Sequence, residues 1–207
     1  MYARSTTVRG NPQSVDDTVA YMRDEVMPAI QQMDGCIGLS MMCDRETGRC
    51  IATTAWESEE AMHNSESGVH TMRMRMAEKM GADLPEVLEW EIAVLHRMRV
   101  APESACARVI WARGDPAQID DRMSTMRTAM LPRVEELPGF CSVSILMNRN
   151  TGQGVTATVY ESREAMNRAA DQGMAMREDI ARQMNMDITE VAEFELSLAH
   201  LRVPETV

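Results

Sequence analysis

Six apolar residues, Val15, Val19, Met22, Val26, Ile30 and Met33, follow one another at steps of three and four. That spacing predicts an amphipathic helix, introduced by Pro12 and capped by Ser14 or Asp16. Pro28 falls inside the pattern and should kink the helix or end its regular part. A short strand over residues 4–9 precedes it. Two more strands are predicted over 36–43 and 49–57, joined by a tight turn in which Gly48 supplies a positive φ. Ser58 then caps a second helix carrying Met62, Met72, Met76 and Met80. The closing strand alternates, with Trp90, Ile92 and Val94 on one face and Glu89, Glu91 and Ala93 on the other.

The whole pattern returns 104 positions later without an insertion. "RGNP" at 9–12 falls on "RGDP" at 113–116, and "AWESEEAM" at 55–62 falls on "VYESREAM" at 159–166. Pro28 falls on Pro132, Gly48 on Gly152 and His96 on His200. About thirty of roughly a hundred aligned positions are identical, and a period this long marks a duplicated domain rather than a solenoid. The expected repeats cover 1–99 and 105–203, separated by the short linker "VAPES". Each reads strand, helix, strand, strand, helix, strand, which makes a four-stranded antiparallel sheet with both helices on one face. The bare face of each sheet must be covered or solvated. Two such sheets in one chain can cover each other, giving an α+β barrel with its helices outside.

Composition narrows the partners. Hydrophobic residues make up 44% and charged residues 26% of the 207, ordinary values for a globular protein. A net charge of -11 argues against a nucleic-acid partner, which needs a basic face, and against an anionic membrane surface. The N-terminal "MYARSTTVRG" has no signal-peptide pattern, and no stretch approaches the roughly 20 apolar residues of a membrane span, so a cytoplasmic location is expected. Cys36, Cys43, Cys50, Cys106 and Cys141 follow no zinc spacing and read as buried thiols. Cys43 and Cys50 bracket a turn and could face each other across it, reduced or oxidised. Their counterparts Met147 and Gly154 show that a disulfide there is not essential to the fold. Most of the 21 methionines sit on the apolar stripes, where flexible side chains fill irregular gaps and could adapt to varied apolar ligands.

"LPGF" at 137–140, "MDGC" at 33–36 and the paired "WESEEAM"/"YESREAM" resemble the antibiotic biosynthesis monooxygenase family. The resemblance covers nearly all of both copies. It implies ferredoxin-like repeats forming a dimeric α+β barrel, here as a pseudo-dimer within one chain. It also implies a small-molecule site and oxygen chemistry without a cofactor, in which the substrate itself supplies the electrons. The family includes haem-degrading members that use an asparagine, a tryptophan and a histidine. Those positions project onto Thr7, Ser65 and Met74, and onto Trp111, Ala169 and Glu178, and none matches.

The candidate pocket residues are Arg4, Thr7, Trp56, His70, Glu91, Arg108, Trp111, Tyr160 and Glu195. Arg4 and Arg108, with Glu89, Glu193, Glu91 and Glu195, recur in both copies, either as cross-strand ion pairs or as groups reaching into a cavity as base or clamp. The glutamates are expected opposite the Trp90/Phe194 face, towards the barrel interior. Trp56 and Tyr160 read first as packing residues, and His96 and His200 as structural ones. His63 and His70 share a helical face, and two imidazoles alone make a weak metal site. Trp111 would fill its cavity, which places the open one in the first copy near Thr7 and His70. The leading reading is a protein that binds a small apolar or aromatic molecule, as a cofactorless monooxygenase-like oxidoreductase. Its rivals are a non-catalytic ligand-binding or assembly module, and haem or metal binding through His70 or His63. Monomer and homo-oligomer both stay open.

Overall fold

The structure, a computed structural model, describes residues 1–201. The expected end of the second repeat at residue 203 lies outside them. In the first repeat the elements are β1 (Tyr2–Arg9), α1 (Val15–Tyr21), α2 (Met27–Ile30), β2 (Cys36–Asp44), β3 (Arg49–Trp56), α3 (Glu59–Asn64), α4 (Glu66–Met80) and β4 (Glu86–Arg97). In the second they are β5 (Cys106–Gly114), α5 (Ile119–Thr125), α6 (Leu131–Glu135), β6 (Phe140–Asn148), β7 (Gln153–Tyr160), α7 (Arg163–Arg168), α8 (Ala170–Gln183) and β8 (Met186–Leu201). The eight strands form a closed barrel in the order β1-β3-β2-β8-β5-β7-β6-β4.

The predicted break in the first helix is a wide turn. Met22–Val26 form a single π-turn between α1 and α2, and Met126–Met130 repeat it between α5 and α6. Each sits just ahead of its proline, Pro28 or Pro132, where the missing N–H and the ring prevent a regular α-helical bond. The apolar stripe survives the break: Val15, Met22, Val26 and Ile30 are buried in the first core, and Met126, Met130, Val134 and Leu137 in the second. At the β2–β3 turn Gly48 has φ 68°, and an added Cβ would lie 2.1 Å from the Gly10 carbonyl oxygen. Only glycine fits there. Ser58 and Ser162 cap α3 and α7 by accepting from the backbone N–H of Ala61 and Ala165.

The chain divides into two compact units. Among the described residues, one holds 1–90 and 194–201; the other is 91–193. β4 and β8 are therefore each shared between units. The end of β8 pairs with β2, from Leu39↔His200 to Cys43↔Glu195, and the end of β4 pairs with β6, from Glu91↔Met147 to Arg97↔Ser142.

These two strands do not keep the uninterrupted alternation that the sequence suggests. In β4 the register passes from Ile92↔Leu146 to Val94↔Ile145, leaving Ala93 as an extra residue. In β8 it passes from Leu196↔Met42 to Leu198↔Met41, leaving Ser197 at the equivalent place. A bulge shifts all later side chains to the other face. Trp90 accordingly lies away from the helices of its unit, donating from Nε1 to Ser5 Oγ at 2.8 Å, whereas Val94 belongs to the helix-side core of the second unit.

Candidate functional site

In the unit Glu91–Glu193 a cavity of about 90 Å³ opens between the sheet and its helices. Its body is apolar, formed by Met126, Leu131, Val143 and Ile145, with Ile180 from α8. Arg108 on β5, Tyr160 at the end of β7 and Arg177 on α8 add its charged and phenolic groups, and Thr156 and Thr158 the hydroxyls. The first unit has a counterpart at the equivalent place, lined by Thr6, Met22, Leu39, Thr54, Val69 and Arg73, of only about 20 Å³. One buried water takes roughly 10–15 Å³ on this scale. The first cavity therefore has room for a water or two, the second for a small organic molecule.

The difference has an identifiable cause. Val69 on α4 is buried and projects into the first cavity; its equivalent on α8 is Gly173. A Cβ built at Gly173 would meet only Arg108 Nη1, at 3.6 Å, so the space is open. The roomier cavity thus belongs to the second repeat, not to the first, where Trp111 had suggested it would be. Trp111 and Thr7 do not line either of these cavities, because they alternate with residues that do: Thr6 and Ile110 face the helices.

The two sites also differ in charge. In the first, Arg4 donates from Nε and Nη2 to Glu89 Oε1, at 3.0 and 2.6 Å, and its Nη1 lies 3.0 Å from Glu66 Oε2. Arg73 donates from Nη1 and Nη2 to the two oxygens of the same Glu66, at 3.2 and 3.0 Å. Glu66 thus bridges two buried guanidiniums. Burial pulls the carboxyls of Glu66 and Glu89 upward, but their arginine partners outweigh it and both pKa values are lowered. In the second site Arg108 keeps the equivalent pair, donating from Nε and Nη2 to Glu193 Oε1 at 3.1 and 2.7 Å. The place of Glu66 is taken by Ala170. Among the described residues no carboxylate pairs with Arg177. Burial pushes the Tyr160 phenol up in spite of Arg108 and Arg177, so at neutral pH it is a hydrogen-bond donor and not a base.

The remaining expected residues fall around these sites. Arg108 and Tyr160 meet at the second cavity, with the Arg108 guanidinium 6.0 Å from the centre of the Tyr160 ring. Arg4 lies in the first unit's ion cluster, and Trp56 is fully buried in its core with Nε1 donating to Thr54 Oγ1 at 3.0 Å. Glu89 joins Arg4 on the helix side, opposite Trp90 as alternation requires, and so does not point towards the barrel interior as expected. Two residues ahead of each bulge, Glu91 pairs with Arg149 and Glu195 with Arg45, in two equivalent exposed clusters that also hold Asp120 and Asp16, and not towards the barrel interior as expected. His63 pairs with Glu89 and His70 stands 3.9 Å from Glu66, both exposed. His96 pairs with Glu135 at 2.8 Å and stacks on Phe140. Among the described residues, no three histidine, cysteine or acidic side chains are grouped to hold a metal ion. Cys43 and Cys50 face each other as free buried thiols. The hydrogen bond between them lowers Cys43 and raises Cys50. Gly173, Arg177 and Ala170 were not singled out by sequence reasoning. Setting the two α4/α8 segments side by side, Glu66 against Ala170 and Val69 against Gly173, would have exposed them.

The profile of the family described as "Antibiotic biosynthesis monooxygenase" matches residues 1–75. The chain is 45% identical, over all its 207 residues and 92% of the relative, to the uncharacterized protein Rv2557 of Mycobacterium tuberculosis. It is 44% identical, over its full length and 88% of the relative, to Rv2558 of the same organism. Among solved structures, it is similar to a Fusobacterium nucleatum protein provisionally described as a monooxygenase (TM-score 0.71, 10% identity, 97% of this chain and 94% of that one). It is also similar to an anthrone oxidase-like protein (TM-score 0.63, 10% identity, 97% and 93%).

The chain belongs to the antibiotic biosynthesis monooxygenase family. A haem-degrading enzyme of Listeria monocytogenes shares its fold (TM-score 0.52, 8% identity, 93% of this chain and 99% of that one). At such identities these structures speak for the fold alone. The antibiotic biosynthesis monooxygenase match ends within α4, before the second repeat that carries the larger cavity. Among the described residues no helix is long and apolar enough to cross a membrane.

Proposed function

We propose that the second-repeat cavity binds a small, largely apolar or aromatic molecule, and that the protein is a cytoplasmic, cofactor-independent monooxygenase-like oxidoreductase. The observation that carries this reading is the unequal pair of cavities. One is closed by Val69 and internally neutralised by Glu66, while the other is opened by Gly173 and keeps two guanidiniums and a phenol at its wall. In such chemistry a methylene between conjugated groups reacts with O2, its two hydrogens and one oxygen atom leave as water, and the other oxygen becomes the new carbonyl. The protein need only exclude water, orient the substrate and stabilise the enolate formed when the first proton leaves to solvent.

A non-catalytic ligand-binding module is the second reading. It is favoured by a cavity wall that, among the described residues, includes no carboxylate or imidazole. Oxygen uptake separates the two, with anthrone as the substrate and no added cofactor. Uptake by the wild type that is lost in Gly173→Val supports the oxidoreductase. Anthrone binding with no uptake above that of denatured protein removes the catalytic half and leaves the binding module.

A further inference from the structure

The first repeat contains its own picture of what the second repeat lacks. The Glu66 carboxylate lies across Arg4 Nη1 and both terminal nitrogens of Arg73, at 3.0 to 3.2 Å. Two guanidiniums there face two carboxylates, Glu66 and Glu89. In the second repeat, among the described residues, the equivalent guanidiniums Arg108 and Arg177 have one carboxylate between them, Glu193, and it pairs with Arg108. Arg108 spends Nε and Nη2 on Glu193, with a 3.5 Å contact from Nη2 to the Met166 carbonyl, and its Nη1 points towards Gly173 at the cavity wall. A second arginine, Arg163, also approaches Glu193, at 3.5 Å, which deepens the local excess of positive charge. In a chain of net charge -11 such an excess beside an apolar cavity is a binding feature rather than a consequence of overall composition.

We propose that the ligand of the second-repeat cavity is an organic anion: an apolar body among Met126, Val143 and Ile180, and one anionic head placed across Arg108 and Arg177 where Glu66 lies in the first repeat. Replacement of the bridging glutamate by Ala170 frees the two cations, and replacement of Val69 by Gly173 makes room for the body. The proposal rests on the reading that this cavity binds an apolar molecule, and it adds the charge that the molecule carries. Paired guanidiniums away from bulk water hold a carboxylate or enolate more firmly than a neutral analogue, because each hydrogen bond is charge-assisted.

Calorimetric titration at neutral pH with 2-naphthoate and uncharged 2-naphthol tests it. The wild type should prefer the naphthoate by roughly tenfold or more, the size of one charge-assisted hydrogen bond. Ala170→Glu should erase that preference and leave the naphthol affinity within about threefold, whereas Ala170→Gln should retain part of it. Ala170 is half-buried at the start of α8 and Glu66 occupies the same position in α4, so the glutamate is compatible with the fold. Equal affinities in the wild type, or an unchanged naphthoate preference in Ala170→Glu, overturn the anionic head and leave the cavity standing. Binding of neither compound to the wild type, or of both to Gly173→Val with unchanged affinity, overturns the cavity reading itself. As a gain-of-function control, Glu66→Ala combined with Val69→Gly should raise the naphthoate stoichiometry from one to two. A stoichiometry still at one contradicts the equivalence on which the proposal is built.

Discussion

Gly173→Val should make the protein more stable and remove its ligand site at the same time. The substitution copies Val69 into the second repeat. Its Cβ meets nothing closer than Arg108 Nη1 at 3.6 Å, an ordinary contact, and the γ-methyls are expected to enter the cavity. The cavities measure about 90 and 20 Å³. Closing the difference of about 70 Å³, at roughly 24 cal/mol per Å³, stabilises by about 1.7 kcal/mol. Replacing a helical glycine contributes about 0.4 kcal/mol more. For a chain of this size that total corresponds to a rise in Tm of about 4–8 °C. The mirror change, Val69→Gly, should cost about 2–4 kcal/mol. The assay is thermal unfolding followed by circular dichroism, with 2-naphthoate titrated against each folded variant. A stabilised Gly173→Val that binds no naphthoate fits a site kept open at the expense of stability. A destabilised variant would show that the cavity wall cannot accept the methyls, and a stabilised variant with full affinity would place the ligand elsewhere.

Three further outcomes are expected. Glu66 and Glu89 have lowered pKa values, so the stability they confer is present above the ordinary glutamate value of about 4.3 and is lost as pH falls through their lower folded values; acid titration of unfolding should show this loss, and Arg4→Met should shrink it. Trp56→Ala should cost about 3–5 kcal/mol in chemical denaturation because the ring is fully buried, whereas Trp56→Tyr, which copies Tyr160, should be nearly neutral; a similar loss in both would point to the Nε1–Thr54 bond instead of the ring. Deleting Ala93 removes the β4 bulge, turns His96 away from Glu135, and should abolish cooperative unfolding; a deletion variant with wild-type unfolding would show that the bulge does not set the register.

The periodicities made most of the fold legible. Steps of three and four marked the first helix of each repeat, Gly48 and Gly152 fixed the hairpin turns, and Ser58 and Ser162 fixed the helix starts. A bulge, by contrast, leaves no sequence signal when the extra residue is as ordinary as Ala93 or Ser197. Without it, unbroken alternation puts Trp90 and Val94 on one face and Glu89 towards the barrel interior. The recurrence of Arg4 and Arg108 with Glu89 and Glu193 revealed the ion pairs, but shared residues mark what the repeats have in common. The difference in room lies at unshared positions. Thr7 against Trp111 drew attention because a tryptophan is large, yet both alternate away from the helix-side cavities. The smaller contrast of Val69 with Gly173 sits on the cavity wall itself. Side-chain volume matters only at a position that faces the void, and for so short a strand that orientation needed the structure.

The proposed working site is the second repeat's helix-side cavity, and its proposed ligand is an organic anion. A crystal structure of the protein with 2-naphthoate would locate the ligand and its head group. One naphthoate per chain is expected, its rings among Met126, Val143 and Ile180 and its carboxylate on Arg108 and Arg177. Naphthoate bound instead in the first repeat, or against the Thr7 and Trp111 face, would contradict it.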